Sequence, residues 1–334
     1  MPRSKGAIKA GRIPLLIVDS DLGRPFPEQD QLRDDESGNG FALRMAGRNG
    51  LEFSDLANLM ESPGHRYLSA RSAKYLAYLF GADPTALIRA TPMQARQNGR
   101  DVVVFEDCIF TRPYLIRHAW PRICPLCLAG DGYAKSYWEL SLATVCWCHR
   151  VRLIDECFSC GCPISWRRPG MLSCYCGATY LDQGVDAADE QALELSACFA
   201  RKLTGGSISS YPMARPLFEG LSLNVLMRLV WSLGIWALMP NGKPVPGKVS
   251  RAPNVQRAEK IVNAACAALV RTEGQLMNDV HLWVGAELAS DLSAGEAELL
   301  TAYLPCVAEI DGAIGRLALA QYRLPFDSEE RNRC

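Results

Sequence analysis

Eight potential metal ligands fall within 53 residues of the chain: Cys124, Cys127, Cys146, His149, Cys157, Cys160, Cys174 and Cys176. A C-x2-C pair bends a short knuckle so that both sulfurs face one ion, and a tetrahedral zinc needs four such soft or borderline donors. The first knuckle, Cys124 and Cys127, is answered after eighteen intervening residues by Cys146 and His149. The second, Cys157 and Cys160, is answered after thirteen by Cys174 and Cys176. The spacing therefore predicts two zinc ions per chain, one held by three cysteines and a histidine, the other by four cysteines. Cys148 and Cys162 lie beside proposed ligands. Spacing leaves open a register in which Cys148 replaces His149, or Cys162 replaces Cys160.

Disulfide staples are the competing use of so many cysteines, and they belong to secreted chains. No secretory leader is read at the start, because the apolar run Ile13 to Val18 is short and is followed by Asp19, Ser20 and Asp21. The expected compartment is the reducing cytoplasm. Cys108, Cys198, Cys266, Cys306 and Cys334 are scattered and read as small buried residues. A catalytic zinc would keep one position open for water. A nucleobase deaminase wants H-x-E ahead of its P-C-x-x-C, whereas His118-Ala119-Trp120 places a tryptophan where the general acid/base belongs. No H-E-x-x-H is present either. With four histidines in all and two complete ligand sets, both zincs are expected to be structural and the chain not to be an enzyme.

The elements that must position these ligands read as mainly α. Ser37 caps a helix with Phe41, Ala42, Met45 and Ala46 inward, stopped by Asn49-Gly50. Ser54 is expected to cap Asp55 to Met60. Ser69 is expected to open a third helix whose Ala73, Leu76, Ala77 and Phe80 form one apolar stripe ended by Gly81. Asp83 and Pro84 take N-cap and N1 positions in a fourth. Two helices joined by Gly81-Ala82-Asp83 have the pattern of a helix-turn-helix, which any small bundle also shows. Strand signals are confined to Val102 to Phe105 and the knuckles. Beyond Gln183 helices are predicted over about 189–203, 220–239, 254–272, 274–290 and 293–320, with breaks at Thr204 to Ser210 and Pro240 to Gly247. Trp231, Trp236 and Trp283 read as core. The domain organisation so predicted is an N-terminal extension (1–30), a helix-turn-helix-like domain (31–110), a tandem zinc-finger region (111–183) and a C-terminal helical domain (184–334).

Hydrophobic residues make up 49% of the 334, enough for a sizeable core. The most apolar stretch, Leu221 to Met239, is broken by Asn224, Arg228 and Gly234 and reads as a buried amphipathic helix, so no membrane association is expected. Acidic and basic residues balance at a net charge of zero, whereas an autonomous DNA binder usually carries a basic excess that displaces counterions from phosphates. Arg112, Arg117, His118, Arg122, Lys135, Arg150 and Arg152 cluster around the first finger in sequence. Of these, Arg112, Arg117, His118, Arg150 and Arg152 are the candidate contacts to nucleic acid or a partner. Seven thiolates against two divalent ions leave the metal sites negative and offset part of that charge.

The succession Glu36-Ser37, Arg44-Met45-Ala46, Asn49-Gly50, Cys124-Pro125-Leu126-Cys127-Leu128, Gly132-Tyr133-Ala134, Trp138, Cys146-x2-His149, Leu153, Cys157-x2-Cys160 and Cys174-x-Cys176-Gly177 resembles the TniQ/TnsD family of bacterial transposon target-site selectors. The resemblance covers about residues 30 to 182. It implies an N-terminal helix-turn-helix, tandem zinc fingers and a variable helical C-terminal part. It also implies a non-catalytic adaptor that connects a target to the AAA+ ATPase recruiting the transposase. Some members read target DNA directly, and others ride as a head-to-tail homodimer on a CRISPR RNA-guided Cascade complex. Gly132-Tyr133-Ala134, the Arg112 to His118 segment and the zero net charge favour the Cascade-associated branch, because guide pairing then reads the sequence. Gly38 and Asn39 depart from the apolar residues that tend to follow the serine, and Cys148 from a residue such as serine or glycine. Two other functions stay open on the residues alone: an autonomous sequence-specific zinc-containing DNA-binding protein and a metalloenzyme.

Overall fold

The structure is a computed structural model, described here for residues 23–61, 65–97, 99–205, 216–238, 252–271 and 292–303. Helix α1 (Gly38–Arg48) begins where the Ser37 hydroxyl accepts from Gly40 N at 3.2 Å, and ends at Asn49 with Gly50 at φ 70°. Helix α2 (Phe53–Met60) starts earlier than expected. Its N-cap is Glu52, whose N–H donates to Asp55 Oδ2 at 2.8 Å, while Ser54 donates its hydroxyl to the Glu52 carboxylate. The fully buried Phe53 draws that extra turn into the core. Helix α3 (Ala73–Phe80) opens at Ser72 instead of Ser69. The Glu61 carboxylate accepts from Ser69 N, Ser69 Oγ and Ser72 Oγ at 2.8, 2.6 and 2.7 Å, so those serines hold the preceding loop. Gly81 ends α3 at φ 69°, and Asp83 caps α4 (Pro84–Arg89) by accepting from Thr85 N and Ala86 N. Helices α3 and α4 pack on each other.

An antiparallel sheet in the order β1-β2-β3 follows: β1 (Met93–Gln97), β2 (Arg100–Phe105) and β3 (Cys108–Phe110). Only β2 was legible in sequence. Strand β1 carries no apolar alternation, being exposed at four of five positions, and takes its conformation from pairing Met93 with Val104 through Gln97 with Arg100. The finger region adds α5 (Pro125–Gly130) and the short pair β4 (Val145–Cys146) and β5 (Val151–Arg152).

Among the described residues the helices that follow are α6 (Glu190–Thr204), α7 (Pro216–Gly220), α8 (Leu223–Leu238), α9 (Val255–Arg271) and α10 (Ala294–Tyr303). Helix α8 is more buried than an amphipathic helix would be, because β3, α6 and α9 pack around it. Arg228 is fully buried in it, and Asn224 Oδ1 accepts from Thr111 N at 3.0 Å. Gly234 allows the close approach of α9, since a Cβ there would overlap Ile261 O. Trp231 packs against Tyr114. The expected helix over 274–290, the Pro240 to Gly247 break, most of 293–320, the Trp236 side chain, Trp283, Cys306 and Cys334 lie outside the described residues. Among the described residues no helix is long and apolar enough to cross a membrane.

The first helix and the first finger, about a hundred residues apart in sequence, are joined in space. Ser37 N donates to Ala134 O at 2.9 Å, the Ser37 hydroxyl donates to Glu139 Oε1 at 2.5 Å, and the Tyr133 hydroxyl donates to Asp35 Oδ1 at 2.7 Å. Arg44 grips the fully buried Glu36 through two hydrogen bonds of 2.7 and 2.8 Å. The two unusual residues after Ser37 have structural reasons. Gly38 N donates to Ala90 O at 2.7 Å, where a Cβ would overlap Thr91 Oγ1, and Asn39 Oδ1 accepts from Leu68 N at 2.7 Å. Buried apolar residues from Phe41 to Leu300 form one connected cluster that includes Cys124, Cys127, Cys146, Cys157 and Cys174.

Candidate metal centres

Each knuckle is a turn closed by a backbone hydrogen bond. Cys124 sits at the N-cap of α5 with Pro125 at N1, and Cys127 lies within that helix. Cys146 ends β4. Arg150 N donates to Cys146 O at 2.8 Å with Arg150 at φ 57°, and Gly161 N donates to Cys157 O at 2.8 Å with Gly161 at φ 67°. The two turns share one geometry, but glycine meets the left-handed conformation without steric cost and arginine does not. Gly177, at φ 87°, closes the Cys174–Cys176 turn by donating to Cys174 O at 3.0 Å.

The ligand atoms converge in two sets, Cys124/Cys127/Cys146/His149 and Cys157/Cys160/Cys174/Cys176, each with all four atoms within 4.8 Å of one another. Zinc–sulfur bonds of about 2.3 Å at tetrahedral angles require sulfurs about 3.8 Å apart. Cys157–Cys176 and Cys160–Cys174 are both 3.7 Å apart, and Cys127–Cys146 is 3.5 Å. His149 Nδ1 lies 3.7, 3.1 and 3.7 Å from the sulfurs of Cys124, Cys127 and Cys146, against about 3.5 Å for a mixed sulfur–nitrogen edge. The donor sets thus fit zinc, and His149 and Cys160 stand in the clusters that could hold it. Cys148 and Cys162 stand beside the two sets without joining them, although Cys148 still interacts with Cys127 and Cys146. Among the described residues every cysteine is free of disulfide bonding.

The sites differ in burial. Cys124, Cys127 and Cys146 are completely buried, with β4 packed on α6, whereas Cys160 and Cys176 are exposed. Three side chains held between ligand pairs, Leu126, Phe158 and Tyr175, are exposed, and spacing alone did not single them out.

The basic residues around the first finger separate in space. Arg117 is buried, 3.2 Å from Asp155, and donates to Trp120 O and Pro253 O. Arg122 is fully buried and donates to the carbonyls of Leu140, Ser141, Ala143 and Pro253, with burial lowering its pKa well below the usual guanidinium range. Lys135 is buried against Asp35 and Asp131. Arg150 is exposed and pairs with Glu190 at 2.6 Å, and Arg152 bridges Asp186 and Glu259. Arg112 lies half-buried beside the segment that carries Arg117. His118 is partly buried, stacked on Tyr67 at 5.5 Å, and burial lowers its pKa to about 4, so the ring is neutral.

The fold therefore sets helices and a small sheet around two Cys/His clusters that could hold zinc. The TniQ family model matches residues 27–153, less than half of the chain. The match spans α1 through the whole first ligand set and stops before Cys157, which is the portion tied together by the contacts between residues 35–37 and 133–139. It supports a transposition-associated role. No curated protein resembles the chain closely enough to count as a match.

Proposed function

We propose that this chain is a target-selection adaptor for transposition, holding two structural zinc ions and linking a target complex to the transposon's AAA+ ATPase without turnover of its own. One observation carries the reading. The TniQ match ends just past a complete Cys3His ligand set, and the segment between its two ligand pairs, residues 133–139, is hydrogen-bonded to residues 35–37 at the start of α1, so the matched segment is a physical unit as well as a sequence one. The helix-turn-helix is assigned to α3 and α4, and the domains to the boundaries drawn from sequence. The RNA-guided, Cascade-associated mode is preferred over direct site reading. The net charge of zero supports that preference, as does the pairing of Arg117, Arg150 and Arg152 with carboxylates, which leaves these side chains less free to neutralise phosphates. On this reading the chain works as a homodimer in the cytoplasm.

Purified zinc-loaded protein mixed with the AAA+ ATPase encoded beside it should form a complex, and transposition should stop when its gene is deleted. Its affinity for duplex DNA alone should be weak and without sequence preference, while association with the RNA-guided complex should survive moderate salt, since apolar contacts escape Debye screening. Tight sequence-specific DNA binding by the isolated chain, falling roughly a thousandfold between about 50 and 200 mM salt, would move the reading to direct site recognition.

A further inference from the structure

A cavity of about 640 Å³ opens between the Arg66–Tyr67 loop, the segment from Pro113 to Trp120, the start of the second finger at Asp155–Glu156, and the residues leading into α9. None of its lining residues belongs to either ligand set, although Glu156 precedes Cys157 in the chain, and it is large enough for a nucleoside-sized ligand. Its walls are rich in π-surface. Tyr67 and His118 are stacked with their planes 27° apart, and Trp120 lies beneath the Arg66 guanidinium at 4.4 Å. The His118 ring has both nitrogens buried without a hydrogen-bond partner among the described residues, which is rare in a folded interior.

The lining also carries polar and charged side chains: Arg66, Gln94, Arg117, Asp155 and Glu156. Arg117 and Asp155 are committed to each other. The exposed Glu156 carboxylate adds a second negative charge near Arg117, beyond Asp155, and the exposed Arg66 guanidinium lies over the Trp120 ring. Gln94, from the exposed strand β1, adds an amide that offers both a donor and an acceptor. An aromatic wall is indifferent to which base stacks on it, a carboxylate accepts from the Watson–Crick N–H groups of guanine, and a guanidinium pairs with phosphate. A basic peptide would meet Arg66 at the entrance as a like charge, which disfavours it.

We propose that this cavity binds the unstacked base of a nucleotide, with Tyr67, His118 and Trp120 as the stacking wall, Glu156 and Gln94 at the base edge, and Arg66 on the phosphate. The inference rests on the cavity and not on the transposition reading, so a chain with no ATPase partner would still show it. The same chemistry is offered by a free nucleoside monophosphate and by an unpaired position in single-stranded nucleic acid.

The test uses the full zinc-loaded chain and the fluorescence anisotropy of a labelled single-stranded hexanucleotide carrying one guanine. Binding should weaken about tenfold or more in Trp120→Leu, and in Arg66→Gln if the phosphate is held there. Glu156→Gln should reduce the preference for guanine over adenine, and Lys260→Gln, on the exposed face of α9 and outside the cavity, should change nothing. A duplex of the same sequence should compete at least tenfold less well. Guanosine 5′-monophosphate competing as well as the hexanucleotide identifies a free nucleotide as the ligand, and weaker competition identifies a strand. Arg66 and Glu156 are exposed, so their variants keep the test valid if Trp120→Leu does not fold. Absence of hexanucleotide binding, equal binding of duplex, binding unchanged in the cavity variants, or selective capture of a lysine-rich peptide would overturn the proposal.

Discussion

Removal of zinc should proceed in two separable steps, because the two ligand sets stand in different places relative to the core. In the first set Cys127 and Cys146 are 3.5 Å apart and fully buried, so two bare thiolates there would repel by about 5 kcal/mol at an effective dielectric near 20. Without the ion the thiolates must take up protons, and the knuckles lose the ion that ties α5 to β4. Structural zinc contributes about 10–16 kcal/mol in small fingers, comparable with the whole stability of a domain at about 5–15 kcal/mol. Loss of the first ion should therefore unfold the protein. The second set has Cys160 and Cys176 at the surface, so its ion is open to a chelator and its loss should melt little beyond residues 157–182. The assay is zinc release to a chromogenic chelator, followed together with helical circular dichroism. About one zinc per chain should leave early with little change in helicity, and the second should leave slowly in step with loss of the helical signal. Cys160→Ser should yield a folded protein with one zinc, while Cys127→Ser should fail to fold. Release of both ions in a single phase, loss of helicity as the early, second-set ion leaves, or a folded protein without metal would refute the argument.

Three further outcomes follow from buried groups. Glu139 is completely buried, and burial holds its pKa well above the usual carboxylate range, so Glu139→Gln should cost under about 1 kcal/mol, whereas Glu139→Ala should cost about 2–4 kcal/mol by chemical denaturation. Burial raises Glu106 to about 7 from 4.5 and lowers His118 to about 4 from 6.5. The Glu106 contribution is present below pH 4.5 and lost as pH rises through 7. The His118 contribution is present above pH 6.5 and lost as pH falls towards 4. Each spans at most about 3 kcal/mol, so relative to wild type the denaturation midpoint of Glu106→Gln should rise with pH between 4.5 and 6.5, and that of His118→Gln should fall. Gly40→Ala would place a Cβ 2.8 Å from the Ala134 Cβ, and should lower the melting temperature by separating α1 from the first finger; an unchanged melting temperature would contradict that close packing.

Sequence alone singled out the eight residues that converge in two clusters able to hold a metal, because a knuckle is a local turn: the close spacing of each ligand pair, helped by Gly161 and Gly177 in the second set, brings its two ligand atoms together over a few residues. It also determined α1 and α4, whose caps Ser37 and Asp83 bond to backbone N–H groups two or three residues on. Where a serine had a distant partner the local rule failed. Ser69 and Ser72 serve the Glu61 carboxylate, and β1 exists only because β2 pairs with it. Tertiary structure alone decided which basic residues face water. Arg117 is a candidate contact in sequence and Arg122 belongs to the same basic cluster, yet Asp155 and a ring of carbonyls hold them inside. It also brought His149 and Cys160 into the two four-residue clusters, and made Tyr67, His118, Trp120 and Glu156 converge on one cavity. Burial and long-range pairing depend on what the chain brings back from tens of residues away, and no periodicity within a single segment encodes that.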